Sequence, residues 1–195
     1  MSQQRSLRSY RGIDLTLFAV MTAVFEYLVC HAALRLFPAQ PFTVSVTPVI
    51  TAIVLMRWGP WAAIHAVLGG FIFCRMAGGG AQQYLIWCAG NLFSLAVLGL
   101  KKALGAEPIR LSAGKSLLFG LCTVLSMQLG RAATALVLGL DAAAAVLFFT
   151  TDVITVLFTL VVVWIVRRLD GVFEDQRHYL RRLDEAVRKE KGGYR

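Results

Sequence analysis

Charge is scarce in this chain. Asp and Glu number 11 and Lys and Arg 20 in 195 residues, against a hydrophobic share of 57% and a mean hydropathy of +0.66. So few charges cannot clothe a water-soluble domain of this size, and the composition is that of a membrane protein. Cysteine is limited to Cys30, Cys74, Cys88 and Cys122, all inside apolar runs and none in a C-x-x-C pair. That excludes a disulfide framework and a zinc ribbon, and leaves buried thiols acting as small hydrophobes. The three histidines, His31, His65 and His178, stand far apart without a partner at i+4, so no metal site is expected. Neither G-x-x-x-x-G-K-[ST], G-x-S-x-G nor H-E-x-x-H occurs. An ATP-hydrolysing chain, a serine hydrolase and a zinc protease are thereby disfavoured, and no enzymatic activity and no cofactor are expected.

What the chain has in abundance is apolar length. Runs at about 13–37, 42–57, 60–76, 83–100, 115–138 and 143–166 approach the ~17–25 residues that a spanning helix needs. They predict an all-α membrane protein with six transmembrane helices and both termini on one side. The second run is the shortest. Of the 20 Lys and Arg residues, 17 fall on one set of connections: the N-terminal tail, the second and fourth connections and the C-terminal tail. That bias makes this side cytoplasmic. The formal charge of +9 is then a topology signal and a membrane-lipid contact; without an aromatic-basic motif, no nucleic acid is expected. The chain divides into a tail at 1–12, a six-helix domain at 13–168 and a cytoplasmic amphipathic helix with tail at 169–195. In the last, Phe173, Leu180, Leu183 and Val187 predict one narrow apolar stripe, with Asp184–Arg188 and Glu185–Lys189 as i,i+4 pairs. Such a helix lies on the membrane or on a partner, or extends into solvent. The outer connections Pro38-Ala-Gln-Pro41 and Gly78-Gly-Gly80 are short, and the glycine run is a candidate gate or a slack connector.

Charges within a bilayer cost about 2.5–3.5 kcal/mol each on insertion scales, so Glu26, Arg35, Arg75, Arg131 and Asp152 each require a reason. Residues three and four apart share a helix face. Tyr84, Trp87 and Asn91 align in the fourth run; Gln128, Arg131 and Thr134 in the fifth; Asp152, Thr155 and Thr159 in the sixth, beside Phe148. Three neighbouring stripes avoid lipid by facing one another, either as a pocket for a polar solute or as hydrogen-bonded glue between helices. The arginines suggest an anionic solute group, and Asp152 either shares that work or only neutralises Arg131.

At about 100° per residue, the first run has two faces. Ala19, Ala23, Glu26 and Cys30 fall on one arc; Tyr27, His31 and Arg35 lie about 120° round, where His31 and Arg35 are able to reach the outer pocket. Small residues four apart admit the backbone of another helix. Ala62, Ala66 and Gly70 form a similar series in the third run.

With these features the chain resembles the substrate-binding S components of energy-coupling factor transporters, vitamin-uptake systems of the ABC class. The resemblance covers about residues 12–168. It rests on six runs with both ends inside, on A-x-x-x-A at Ala19-Val-Met-Thr-Ala23, on Val49-Ile-Thr-Ala-Ile-Val-Leu-Met-Arg-Trp-Gly-Pro-Trp61, and on Trp87-Cys-Ala-Gly-Asn-Leu92. It implies that Ala19 and Ala23 dock onto a transmembrane coupling subunit driven by two ATPase subunits. It also implies that a small-molecule nutrient is held between the first outer loop and helices four to six. Glu26 departs from a purely small-residue docking face, and no His follows Met1 as in the metal-specific members. The alternative is a non-transporting scaffold subunit of a rod-morphogenesis complex, in which the polar stripes are glue.

Overall fold

The computed structural model describes residues 2–39 and 42–192, and of residues 2–6, 188 and 190–192 the backbone alone. The described residues form helices and no strand. Five helical segments are long and apolar enough to cross a membrane: Leu7–Leu36, Thr47–Met76, Ala81–Leu104, Ala113–Val137 and Ala142–Val166. Large apolar side chains such as Leu17, Val24, Phe71, Leu129, Leu157 and Val161 stand exposed around them. A surface of this kind is stable in hydrocarbon and not in water, so this is a multi-pass membrane protein.

Helix α1 (Ser2–Leu36) buries Asp14, Phe18, Thr22, Glu26 and Cys30, one residue per turn, and turns Val20, Phe25 and Leu28 outward. After it the chain runs without helix through 42–45 before α2 (Thr47–Trp58) begins. The second predicted run is thus irregular backbone followed by a 12-residue helix, every residue of which is buried. A 3₁₀ turn, Gly59–Trp61, leads into α3 (Ala62–Met76). Gly59 has φ +62°, a left-handed conformation that a side chain would strain, and here the chain reverses. Thr47 at the start of α2 lies against Gly69 of α3 so closely that any Cβ there would collide with it. Thr47–Met76 is therefore a helical hairpin, and Ala62, Ala66 and Gly70 are buried in the bundle, with Ala66 O and Gly70 against Trp87 and Asn91 of the following segment. The third-run series is internal packing.

The next segment comprises α4 (Ala81–Asn91), a 3₁₀ stretch Leu92–Ala96 and α5 (Val97–Leu104), followed by the short α6 (Ala106–Leu111) and the long α7 (Ala113–Val137). At the crossing of α4 and α7, a Cβ added to Gly90 would lie 2.6 Å from the backbone of Arg131, and Gly130 is equally tight against Gly90. Small residues bring the two backbones together, as in many membrane helix pairs. The last segment is broken: α8 (Ala142–Thr150), capped by the Asp141 side chain accepting from Ala144 N at 2.7 Å, stops at Thr151 and Asp152 before α9 (Val153–Val166).

One end of the bundle, the tail end, is closed by polar groups. Arg57, buried, pairs with Asp14 at 2.7 Å and donates to the carbonyls of Gly171 and Val172, while Trp58 Nε1 also donates to Asp14. Lys101 Nζ donates to Met56 O at 2.6 Å, at the end of α2, and to Asp175 at 2.9 Å. Phe173 is fully buried and meets Phe119 edge-on at 6.0 Å. Helix α10 (Gln176–Gly192) starts only after this segment, so Phe173 is a plug in the bundle and not part of the stripe of Leu180, Leu183 and Val187. Of the two predicted ion pairs on α10, Asp184–Arg188 involves a side chain outside the described set. Gln40 and Pro41 of the first outer loop also lie outside it.

Candidate functional site

The site is assembled from four pieces of chain. The non-helical segment 42–46 runs between α1 and α9, and its backbone groups, which lipid cannot satisfy, find partners in the protein. Thr43 N donates to Thr151 O at 2.8 Å, and Ser45 N donates to Thr155 Oγ1 at 3.1 Å. Thr155 Oγ1 in turn donates to Thr43 O at 3.2 Å. The break between α8 and α9 supplies the accepting carbonyl of Thr151.

Below this, Glu26 ends the puzzle of a charge on the alanine-rich helix. It turns inward, and its Oε2 accepts from Val46 N at 2.9 Å, Thr47 N at 3.0 Å, Ser45 Oγ at 3.0 Å and Thr47 Oγ1 at 2.8 Å. A helix that begins inside a bundle leaves free N–H groups and a partial positive charge, and a carboxylate answers both. Glu26 is the cap of α2, not part of an outward docking face.

Arg131 occupies the centre. Its guanidinium lies over the Trp87 ring at 3.8 Å, a cation–π contact worth about 2 kcal/mol when desolvated. Nε donates to Asn91 Oδ1 at 2.8 Å and Nη1 to Asp152 Oδ2 at 2.9 Å. Asn91 Nδ2 is fixed by Ala66 O at 2.9 Å. Asp152 also accepts from Thr43 Oγ1 at 2.5 Å and, at 3.5 Å, from Gln128 Nε2. Arg131 and Asp152 are each 1% exposed, yet Arg131 Nη2 has no hydrogen-bond partner. A buried donor left unmade costs about 1–3 kcal/mol, more for a charged group.

Beside it is a cavity of about 310 Å³ lined by Thr43, Trp87, Arg131 and Asp152 on one side and by Leu147 and Phe148 of α8 on the other. The aromatic wall continues from Trp87, which stacks on Phe73 at 3.9 Å and meets Phe148 at 6.2 Å. Among the described residues, Arg131 and Asp152 are the charged ones lining it, so the formal charge of that lining is balanced. The cavity wall is mainly apolar and aromatic, with Thr43 and Thr151 as its hydroxyls and the unpaired Nη2 amino group of Arg131 buried just behind it: it can hold a small flat solute chiefly by its faces. Among the described residues, no three His, Cys, Asp or Glu side chains come together as a metal-binding set.

Of the residues singled out in the sequence, Trp87, Asn91, Gln128, Arg131, Asp152 and Thr155 meet in this cluster. Tyr84 lies one turn away, packed on Phe71 at 5.3 Å and outside the cavity lining. His31 and Arg35 do not reach it: His31 stacks on Tyr27 at 5.8 Å on the outer side of α1, and Arg35 is exposed. The reason is the turn of α1, whose inward face is set by Phe18, Thr22, Glu26 and Cys30. Arg75 lies on a separate groove of about 720 Å³ between α1 and α3, bordered by Ala23, Val24, Tyr27, Phe71 and Ile72. Ala19 and Ala23 are half-buried at that flank. Sequence reasoning missed Thr43, Ser45 and Thr47, although the alternation T-V-S-V-T at 43–47 was the available sign of an extended polar edge inside an apolar run. It also missed the buried Asp14–Arg57 pair.

Comparison of the chain with protein families, with curated proteins and with solved structures found no match to any of them.

Proposed function

We propose that this protein is the membrane-embedded binding subunit of an uptake system for a small water-soluble nutrient, with energy supplied by ATPase partners through a transmembrane coupling subunit. In this reading the hairpin counts as two passes, giving six in all, with both termini and the tail end cytoplasmic in a bacterial plasma membrane. The carrying observation is Arg131: a buried guanidinium, braced by Trp87, Asn91 and Asp152, that keeps an unpaired N–H beside a cavity of about 310 Å³. Arg110 Nε and Arg167 Nε are unpaired as well, but in half-buried side chains; Arg131 is 1% exposed and beside a cavity, where the cost of an unmade charged donor favours a solute over glue alone. The volume stands at the small end of ligand pockets, roughly 300–1,000 Å³.

The charge balance refines the expected solute. With Asp152 already opposite Arg131, and Arg35 and Arg75 elsewhere, a heterocycle bearing a ring carbonyl or a single carboxylate fits better than a multiply charged anion. Ala19 and Ala23, with the groove beside them, are the docking flank for the coupling subunit.

Native mass spectrometry of the gently purified protein tests the reading. A retained small molecule, lost in Arg131→Met with the protein still monodisperse, supports it. Protein partners alone, with no solute, give instead the cell-shape scaffold.

A further inference from the structure

Helix α10 plays no part in the solute reading, and its surroundings give it a role. It carries six basic residues against three acidic ones. At about 100° per residue, Leu180, Leu183 and Val187 fall within about 60° of one another, Asp184 and Arg177 border one edge of that stripe with Arg181 beyond them, and His178 and Lys189 lie opposite. Leu183 and Val187 are exposed, at 41% and 48%.

The root of the helix is held in place. Gln176 is fully buried, donates to Gly171 O at 2.8 Å and accepts from Tyr10 at 3.3 Å. Tyr179 packs on Gly171. Around the same end stand two exposed tryptophans, each under an arginine: Trp61 with Arg11 at 4.6 Å and Trp164 with Arg168 at 4.0 Å. Tryptophans paired with cations at the rim of an apolar bundle mark the headgroup level of a bilayer. The helix therefore leaves the bundle at the depth where its apolar stripe meets acyl chains and its arginines meet phosphates.

We infer that α10 is an interfacial helix that seats on the bilayer with Leu183 and Val187 submerged and Arg177 and Arg181 on anionic lipid headgroups. The stripe is narrow, so burial alone holds weakly and the basic flank makes seating depend on lipid charge. It is independent of solute binding.

Hydroxyl-radical footprinting of the full chain tests it in nanodiscs of phosphatidylglycerol and of phosphatidylcholine, one chain per disc. Labelling of Leu183 and Val187 is expected to fall at least about fivefold in the anionic discs relative to the zwitterionic ones, with His178 unchanged, and to recover in high salt. Strong labelling, equal in both lipids, overturns the proposal and leaves a solvated helix. Protection that is the same in both, or that needs two chains in one disc, overturns it in favour of a protein contact.

Discussion

At the level of single residues, the site depends on charges that have no exit to water. Glu26 answers two backbone N–H groups and two hydroxyls at the start of α2, of which Thr47 N has a second acceptor in Ser45 Oγ at 3.2 Å. Glu26→Ala takes the shared acceptor from all four in a dry interior and is expected to destabilise the protein by about 3 kcal/mol or more, with Glu26→Gln milder because one acceptor remains. Thermal unfolding in detergent, followed for the three proteins side by side, checks the order. The Arg131–Asp152 pair separates structure from function more sharply. Removing either partner strands a buried charge at a cost of about 3–5 kcal/mol, whereas replacing both by apolar residues of similar size restores most of the stability. Arg131→Met with Asp152→Leu is therefore expected to melt closer to the native protein than Arg131→Met alone, and still to retain no solute. A double variant that recovers binding along with stability removes Arg131 from the site. This distinction was not legible in the sequence: spacing put Arg131 and Asp152 on facing stripes, but not the free Nη2 that makes their pairing incomplete.

Among the elements, the crossing of α4 with α7 sets the geometry that the site uses. Gly90 and Gly130 let the backbones touch, which puts Arg131 directly over Trp87. Gly130→Leu forces the helices apart and is expected to abolish solute retention, with a fall in melting temperature; Gly114→Ala, in the first turn of the same α7 with nothing within 4 Å, serves as a glycine control expected to retain solute. The period of 3.6 residues was readable for α4, α7 and α9 because each is amphipathic about a polar stripe. The reading failed at α2, where all 12 residues are buried and periodicity carries no orientation. It failed again at 169–175, where Phe173 has the spacing of the α10 stripe but is held in the bundle by Phe119 and by Arg57 acting on the carbonyls of Gly171 and Val172. Helical spacing cannot distinguish a continuing helix from a loop that happens to place an apolar side chain in phase.

On the scale of the whole molecule, the two flanks of α1 have different neighbours. The inward one holds the cap of α2, and the one bearing Ala19 and Ala23 borders the groove toward α3. If that flank receives a coupling subunit, Ala23→Trp fills the groove mouth and blocks co-purification with the coupling subunit and ATPases when the complex is co-expressed, while the retained solute is unchanged. Loss of both together would show that the flank holds the fold itself. The multi-pass architecture was legible from apolar length and the basic tails; the depth at which each element ends was not, because hydropathy is blind to a half-length helix that other helices shield from lipid.

The partners of segment 42–46 come from opposite ends of the polypeptide: Glu26 before it, Thr151 and Thr155 more than a hundred residues later. During synthesis the first helices enter the bilayer long before the last one exists. Until α8 and α9 arrive, the peptide groups of Thr43 and Ser45 must stay hydrated near the surface. The burial of this segment is thus expected to be a late event, and a chain halted before residue 150 lacks the partners of Thr43 and Ser45 and is not a smaller version of the same protein.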